Sequence, residues 1–321
     1  MTYLRCINIL FLFFAIQTVA SFPKEKSSSN VMKMNTSLSS TESKSYSVGF
    51  IGFGTIGSSI AKGLLLQTTV PIKRIAVSRR SESKSSELKS LHPESVTVFD
   101  DNQEVLNESD VIFLCVLPEQ MKEVLKKLKF NPTKHIMVSL VSTSVLSEMI
   151  ELSGLLESQV FKMICLPSVS RCEGTCLLVP PSPSQQFKSL FDSLGGTVEC
   201  ADEKLMNRAM IPCNLMGPLY GIMRNSRTWL EKQGMPADDA SYLVARQYMA
   251  MVQDALRDCR DPQRFDKLIA EQTPGGFNEQ ALRNLEGLGL HDIYDKTMDA
   301  LLNRLEGKSD GSIEPASKNI H

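Results

Sequence analysis

From Ser47 onward the chain alternates short apolar runs with segments whose apolar residues recur three and four positions apart, the two periods that distinguish strand from helix. Ser47–Ile51 (SVGFI) is a β-prone run, and Ile60, Ala61, Leu64 and Leu65 follow it at helical spacing. Lys73–Ser78 and Ser95–Phe99 read as strands and Asp101–Asn107 as a helix. Asp110–Val116 (DVIFLCV) is almost unbroken apolar sequence, as a parallel strand covered on both faces requires. The alternation continues through a helix at Glu119–Leu128, a strand at His135–Val141 and a helix at Ser144–Leu152. Strands at Val160–Cys165 and Thr175–Val179, a helix at Ser184–Leu194 and a strand at Thr197–Cys200 complete it. This pattern predicts an α/β fold, a Rossmann-type doubly wound sheet over residues 47–200.

Beyond Asp202 only the helical period remains. A long run at Asp202–Gln233 is expected to be interrupted at Pro212 and at Gly217-Pro218. Helices are expected at Ala237–Arg260, Arg264–Glu271, Glu279–Leu285 and His291–Leu305, and Thr273–Asn278 reads as a turn. Leu243, Val244, Tyr248, Met251, Val252 and Leu256 form one apolar stripe. A small all-helical C-terminal domain over 201–306 with such a stripe buries it against a second copy, so a homodimer or higher homo-oligomer is expected; 307–321 reads as a disordered tail.

The first 46 residues belong to neither pattern. Arg5 precedes an apolar stretch from Ile7 to Ala20 that is too short for a spanning helix, which needs about 20 apolar residues. It reads as the core of a signal peptide with Thr18-Val19-Ala20 as the cleavage site. Ser21–Tyr46 is rich in Ser and Lys, with only Glu25 and Glu42 as acids, which is transit-peptide composition. Together, with Ala20-Ser21-Phe22 at the junction, they resemble the two-part plastid address of algae with complex plastids. Secretion with a disordered linker and a retained anchor or another organelle stay open. After processing no membrane attachment is expected.

Charge and cysteine usage narrow the function classes. Lys+Arg is 35 against 36 for Asp+Glu, without the basic footprint that nucleic-acid binding needs. Cys172 and Cys176 have no second Cys/His pair at usable spacing, so no metal site is expected. None of the four histidines sits in a hydrolase or zincin motif.

The chemistry concentrates at Gly52-Phe53-Gly54-Thr55-Ile56-Gly57, a GxGxxG placed between the first strand and the first helix, where a dinucleotide-binding loop belongs. Gly52 allows the tight turn, Gly54 lets backbone approach a diphosphate, and Gly57 lets the helix lie close to the strand, with its N-terminus toward the phosphates. At the end of the second strand an NAD site wants Asp or Glu for the ribose 2′-hydroxyl. Here stand Ser78, Arg79, Arg80 and Ser81, hydroxyls and guanidinium groups suited to a 2′-phosphate, so the expected cofactor is NADPH; a solvated basic turn is the alternative. Leu117-Pro118, Val141-Ser142-Thr143 and Pro167-Ser168 follow other strands and are expected around the nicotinamide end.

From about Val48 to Leu305 the residues resemble the pyrroline-5-carboxylate reductase family. Gly49–Gly57 is similar to the family's opening, and Val116-Leu117-Pro118 to its valine–lysine–proline. Leu166-Pro167-Ser168-Val169-Ser170 matches its methionine–proline–asparagine–threonine–proline in part. Pro218-Leu219-Tyr220 and Gly234-Met235-Pro236 resemble its proline–alanine–tyrosine and glycine–methionine–proline. Thr273-Pro274-Gly275-Gly276-Phe277-Asn278 is similar to its serine–proline–glycine–glycine–threonine–threonine, whose threonines hold the substrate carboxylate. Leu117 stands for a lysine, Ser168 for an asparagine and Phe277-Asn278 for the threonine pair, the pattern of a divergent member.

The resemblance implies hydride transfer from NADPH to a C=N bond of a small cyclic imine, with 1-pyrroline-5-carboxylate to L-proline the leading reaction. Thr273 and Asn278 are the candidate catalytic residues, Asn278 as cap of a helix starting at Glu279 whose free N–H groups receive a carboxylate. If Asn278 is only a cap, Phe277 is a core residue. Reduction of another imine or a 2-oxo acid stays open, as does a non-catalytic NADP-binding regulatory paralogue.

Overall fold

The computed structural model describes residues 45–79 and 82–313. The address segment up to residue 44, Arg80, Ser81 and the end of the tail lie outside the described residues. The strands are β1 (Tyr46–Ile51), β2 (Ile72–Ser78), β3 (Val96–Phe99), β4 (Val111–Leu114), β5 (Ile136–Ser139), β6 (Val160–Ile164), β7 (Cys176–Val179) and β8 (Thr197–Glu199). Between them run α1 (Thr55–Leu66), α2 (Glu82–Leu91), α3 (Asn102–Asn107), α4 (Pro118–Lys127), α5 (Leu146–Ser153) and α6 (Gln185–Asp192). One sheet holds all eight strands in the order β3-β2-β1-β4-β5-β6-β7-β8.

Pairing is parallel from β3 through to β6, β7 is antiparallel to β6, and β8 is parallel to β7. The connections explain the reversal. A parallel return needs a crossover of about a dozen residues or more, usually a helix. Between β6 and β7 there is only a 3-10 turn at Pro167–Arg171 before the chain turns back. Between β7 and β8, α6 supplies a crossover, and β8 is again parallel to its predecessor.

Alternate residues of the central strands feed opposite faces. Val111 and Phe113 of β4 join an apolar cluster with Phe50, Phe161, Phe187 and Phe191, whereas Ile112 and Leu114 join Ile51, Met121, Leu125 and Met149. Phe50 stacks on Phe113 with ring centroids 5.1 Å apart, which locks β1 to β4 beneath the glycine loop. Strand order reverses between these two strands, so a crevice opens at their C-terminal ends.

The helical region comprises α7 (Glu203–Cys213), α8 (Met216–Lys232), α9 (Ala237–Leu256), α10 (Arg264–Ala270), α11 (Phe277–Gly287) and α12 (Leu290–Leu305). The expected interruptions are displaced. Pro212 lies inside α7 and Gly217-Pro218 inside the first turn of α8, and the break falls at Asn214-Leu215. A proline in a first turn forfeits no intrahelical hydrogen bond, because its N–H would be unpaired there. Helix α7 packs on the sheet: Met206 is fully buried with Leu177, Val179 and Cys200. In α8 to α12, by contrast, only Ala240 and Val244 are buried. Of the predicted stripe, Val244 is covered while Met251, Val252 and Leu256 are 59–67% exposed.

Candidate functional site

The glycine loop sits at the crevice. Gly52 has φ +81°, and a Cβ there would stand 2.7 Å from the Cys115 carbonyl oxygen, so both conformation and room demand glycine. Gly57 faces Cys115 Sγ, 3.1 Å from an added Cβ, which sets the approach of α1 to the end of β4. Gly54 differs. Its φ of −78° suits any residue, and an added Cβ would meet nothing within 4 Å. No steric contact asks for glycine there, and the space beside the start of α1 is open. Helix α1 has no acid in its first turn and no side-chain cap, so its leading N–H groups and dipole face this space. Ile56 packs partly buried against the core, and Thr55 is exposed at the mouth. The Thr55 hydroxyl accepts from Lys84 Nζ at 2.9 Å.

Ser78 is placed under the loop rather than in the crevice: it is 2% exposed, and its Oγ accepts from the Gly52 N–H at 3.0 Å. Its hydroxyl therefore braces the turn. The Arg79 guanidinium pairs with the Asp100 carboxylate, and the Arg79 backbone N–H donates to the Phe99 carbonyl at 2.9 Å. Ser78, Arg79, Glu82, Asp100 and Asn102 line an open depression. A second depression shares Asp100 and Asn102 with it and continues along Gln120 and Val124 of α4. Asp100 and Lys84 were not singled out in the sequence; Asp100 follows the last residue of β3, the one signal that marks it.

At the other end of the crevice, Leu117 is the exposed N-cap of α4, 57% exposed, with Pro118 in the first turn. Pro167 is exposed where it opens the 3-10 turn. Burial pushes the Cys115 thiol well above its ordinary value, and neighbouring Cys165 adds to the shift. The Cys176 thiol is raised too, first by its hydrogen bond with Cys165 and then by burial. Both stay protonated near neutral pH and are poor nucleophiles.

Sequence reading missed a buried lysine below this edge. Lys162 of β6 is 2% exposed; its Nζ donates to the Ser144 carbonyl at 2.8 Å and lies 3.2 Å from Glu203 Oε1. Glu203 Oε2 accepts from the Leu146 N–H at 3.1 Å, standing in for the cap that Val145 cannot provide to α5. One ion pair thus joins β6, the loop after β5 and the first helix of the helical region.

The turn at Thr273–Asn278 requires a correction. Helix α11 begins at Phe277 rather than Glu279, and its N-cap is Gly276, without a side-chain cap. Asn278 therefore sits in the first turn, and its Nδ2 donates to Gln272 Oε1 at 2.7 Å. The N–H of Gly275 donates to the Glu279 carboxylate, and that of Gly276 to the Thr273 carbonyl at 2.9 Å. Glycine at the cap position lets the helix begin before the asparagine and leaves the amide free to reach backward. Phe277 is 91% exposed, so it is no core residue of the single chain. Among the described residues, the hydrogen bonds of this turn run to its own residues and to the flanking helices. The glycine loop, Ser78, Arg79, Leu117 and Pro167 gather at the sheet's C-terminal edge, whereas Thr273 and Asn278 belong to a separate turn.

Residues 47–143 match the family model described as "NADP oxidoreductase coenzyme F420-dependent". The pyrroline-5-carboxylate reductase of Pisum sativum is 34% identical over 250 residues, 76% of this chain and 89% of that protein. Among solved structures, a pyrroline-5-carboxylate reductase from Coxiella burnetii superposes with TM-score 0.70 at 21% identity, covering 82% of this chain and 98% of that one. The Plasmodium falciparum pyrroline carboxylate reductase with NADP bound gives TM-score 0.64 at 18% identity, covering 83% and 98%. At these identities the two structures speak for the fold.

Proposed function

The chain belongs to the pyrroline-5-carboxylate reductase family, and from that premise we propose that it reduces 1-pyrroline-5-carboxylate to L-proline with NADPH. Its class is an NADP-dependent oxidoreductase acting on C=N. The observation that carries the reading is the Gly54 cradle, a glycine with open space where a side chain would stand, set at the start of α1 without a side-chain cap. When bound, NADPH supplies the hydride. The N–H groups at the start of α1 hold its diphosphate, and Leu117, Pro118 and Pro167 are apolar walls that keep water from the nicotinamide end. A cyclic imine nitrogen is basic enough to take its proton from water near neutral pH, so in this reading the protein's task is chiefly orientation. Thr273, Asn278 and the leading N–H groups of α11 receive the carboxylate.

The test is NADPH oxidation by the purified chain over a panel of cyclic imines and 2-oxo acids, with the product identified. Proline formed from the pyrroline carboxylate is the expected result; turnover confined to 2-oxo acids overturns it. Phe277 and Asn278 in place of two threonines favour a second reading, a related imine as substrate. Asn278→Ala is expected to raise KM for the imine acid about tenfold, the loss of one charge-assisted hydrogen bond of roughly 1.5 kcal/mol. NADPH affinity should not change, since the glycine loop is elsewhere. The double change Phe277→Thr, Asn278→Thr should leave kcat/KM on the pyrroline carboxylate within about threefold. A large gain would support the second reading instead.

The same reading includes a second copy of the chain against α8 to α12, where Tyr220, Trp229, Met251, Val252 and Leu256 are each more than half exposed. It also includes delivery to a plastid by the N-terminal address, with secretion as the alternative outcome of a fluorescent-fusion test.

A further inference from the structure

We propose that Lys84 is the residue that reads the 2′-phosphate of the dinucleotide. This rests on NADPH being the cofactor, as argued above. Of the groups that sequence offers at the end of β2, the two among the described residues are already engaged. The Ser78 hydroxyl is buried against the Gly52 N–H, and Arg79 is paired with the Asp100 carboxylate. Lys84, on the first turn of α2, reaches across to the first residue of α1 and donates to Thr55 Oγ1 at 2.9 Å. That contact puts its ammonium between the end of β2 and the Gly54 cradle.

Among the described residues Lys84 forms no ion pair, unlike Arg79 and unlike Lys62 of α1, which is bound to Glu87. An ammonium has three donors. The neutral Thr55 hydroxyl takes one, which leaves two donors and a full charge at the mouth of the site. A dianionic phosphate on the ribose is the ligand such a group fits, because charge-assisted hydrogen bonds to phosphate are about twice as strong as neutral ones. Arg79, oriented by Asp100, is left to flank the adenosine rather than to carry the discrimination.

The test measures dissociation constants of NADPH and NADH, and of the fragments 2′,5′-ADP and 5′-AMP, for the full chain and for Lys84→Met and Lys84→Arg. Calorimetry supplies the readout without turnover, and thermal midpoints confirm folding. Lys84→Met is expected to weaken NADPH and 2′,5′-ADP about tenfold or more, with NADH and 5′-AMP within about twofold, and Lys84→Arg to restore most of the preference. If Lys84→Met keeps the NADPH/NADH ratio of the unaltered chain, the assignment is wrong and Arg79 or Arg80 reads the phosphate. If it weakens both dinucleotides equally, Lys84 serves the diphosphate and the proposal also fails. An unaltered chain that binds NADH as tightly as NADPH overturns the cofactor reading itself, a result distinct from either.

Discussion

Replacing Glu203 with alanine is expected to destabilise the protein by about 3–5 kcal/mol, the cost of leaving a buried charge without its partner. Lys162 has a side chain only 3% exposed, and Glu203, at 24%, is its carboxylate partner among the described residues. The alanine variant also removes the acceptor of the Leu146 N–H at the start of α5, a cap whose loss costs about 1 kcal/mol. Denaturant midpoints measure the loss. The pair Lys162→Met, Glu203→Leu should recover most of it, because well-packed apolar residues often replace a buried ion pair without penalty. A Glu203→Ala protein within about 1 kcal/mol of the unaltered one would show that the pair is hydrated and structurally idle. The position matters beyond stability. Lys162 holds the Ser144 carbonyl at the end of the loop that follows β5, so the pair ties the first helix of the helical region to the C-terminal edge of the sheet.

How far the sequence was legible follows from what each feature depends on. The parallel strands were found within a residue or two because their burial on both faces writes itself as an apolar run, as in Val111–Leu114. The strand–turn–helix at the glycine loop was legible because Gly52 answers to a positive φ and to close backbone, a need written in the local sequence itself. The reversal of β7 was not read, since it depends on the short turn at Pro167–Arg171 rather than on the strand's own composition. Gly217-Pro218 misled as a helix break because a proline in a first turn has no carbonyl for its N–H to meet, whereas Pro212 is carried in the last turn of α7, just before the break at Asn214-Leu215. Ser78 and Asn278 were read by residue type; their partners, Gly52 and Gln272, emerge only once the chain is folded. Lys84 and Lys162 carried no signal at all. Residue type says nothing of their partners: one lysine donates to the Thr55 hydroxyl at the start of α1 and the other to a partly buried carboxylate.

The N-cap glycine of α1 and a glycine inside that helix should respond to alanine in opposite ways. Gly54→Ala is expected to cost no more than about 1 kcal/mol, the usual loss for alanine at an N-cap, because its φ is ordinary and its Cβ would enter open space. The same methyl would occupy the cradle, and NADPH binding should weaken by about 2 kcal/mol or more, roughly thirtyfold, as diphosphate hydrogen bonds are displaced. Gly63→Ala is the converse. Its Cβ would lie 2.2 Å from the Val169 carbonyl oxygen and 2.8 Å from Leu194 Cδ2, against backbone that has little room to move. Alanine returns about 1 kcal/mol of helix propensity, but the overpacked contact costs more, and a net loss of about 1–3 kcal/mol is expected. Pushing on Val169 also shifts the 3-10 turn that carries Pro167, so a smaller, secondary weakening of cofactor binding should accompany the loss of stability. Thermal midpoints and NADPH dissociation constants for both variants separate the cases. A Gly54→Ala protein that melts early and binds NADPH normally would show that this glycine serves the fold, and the cradle would lose its standing as the diphosphate site.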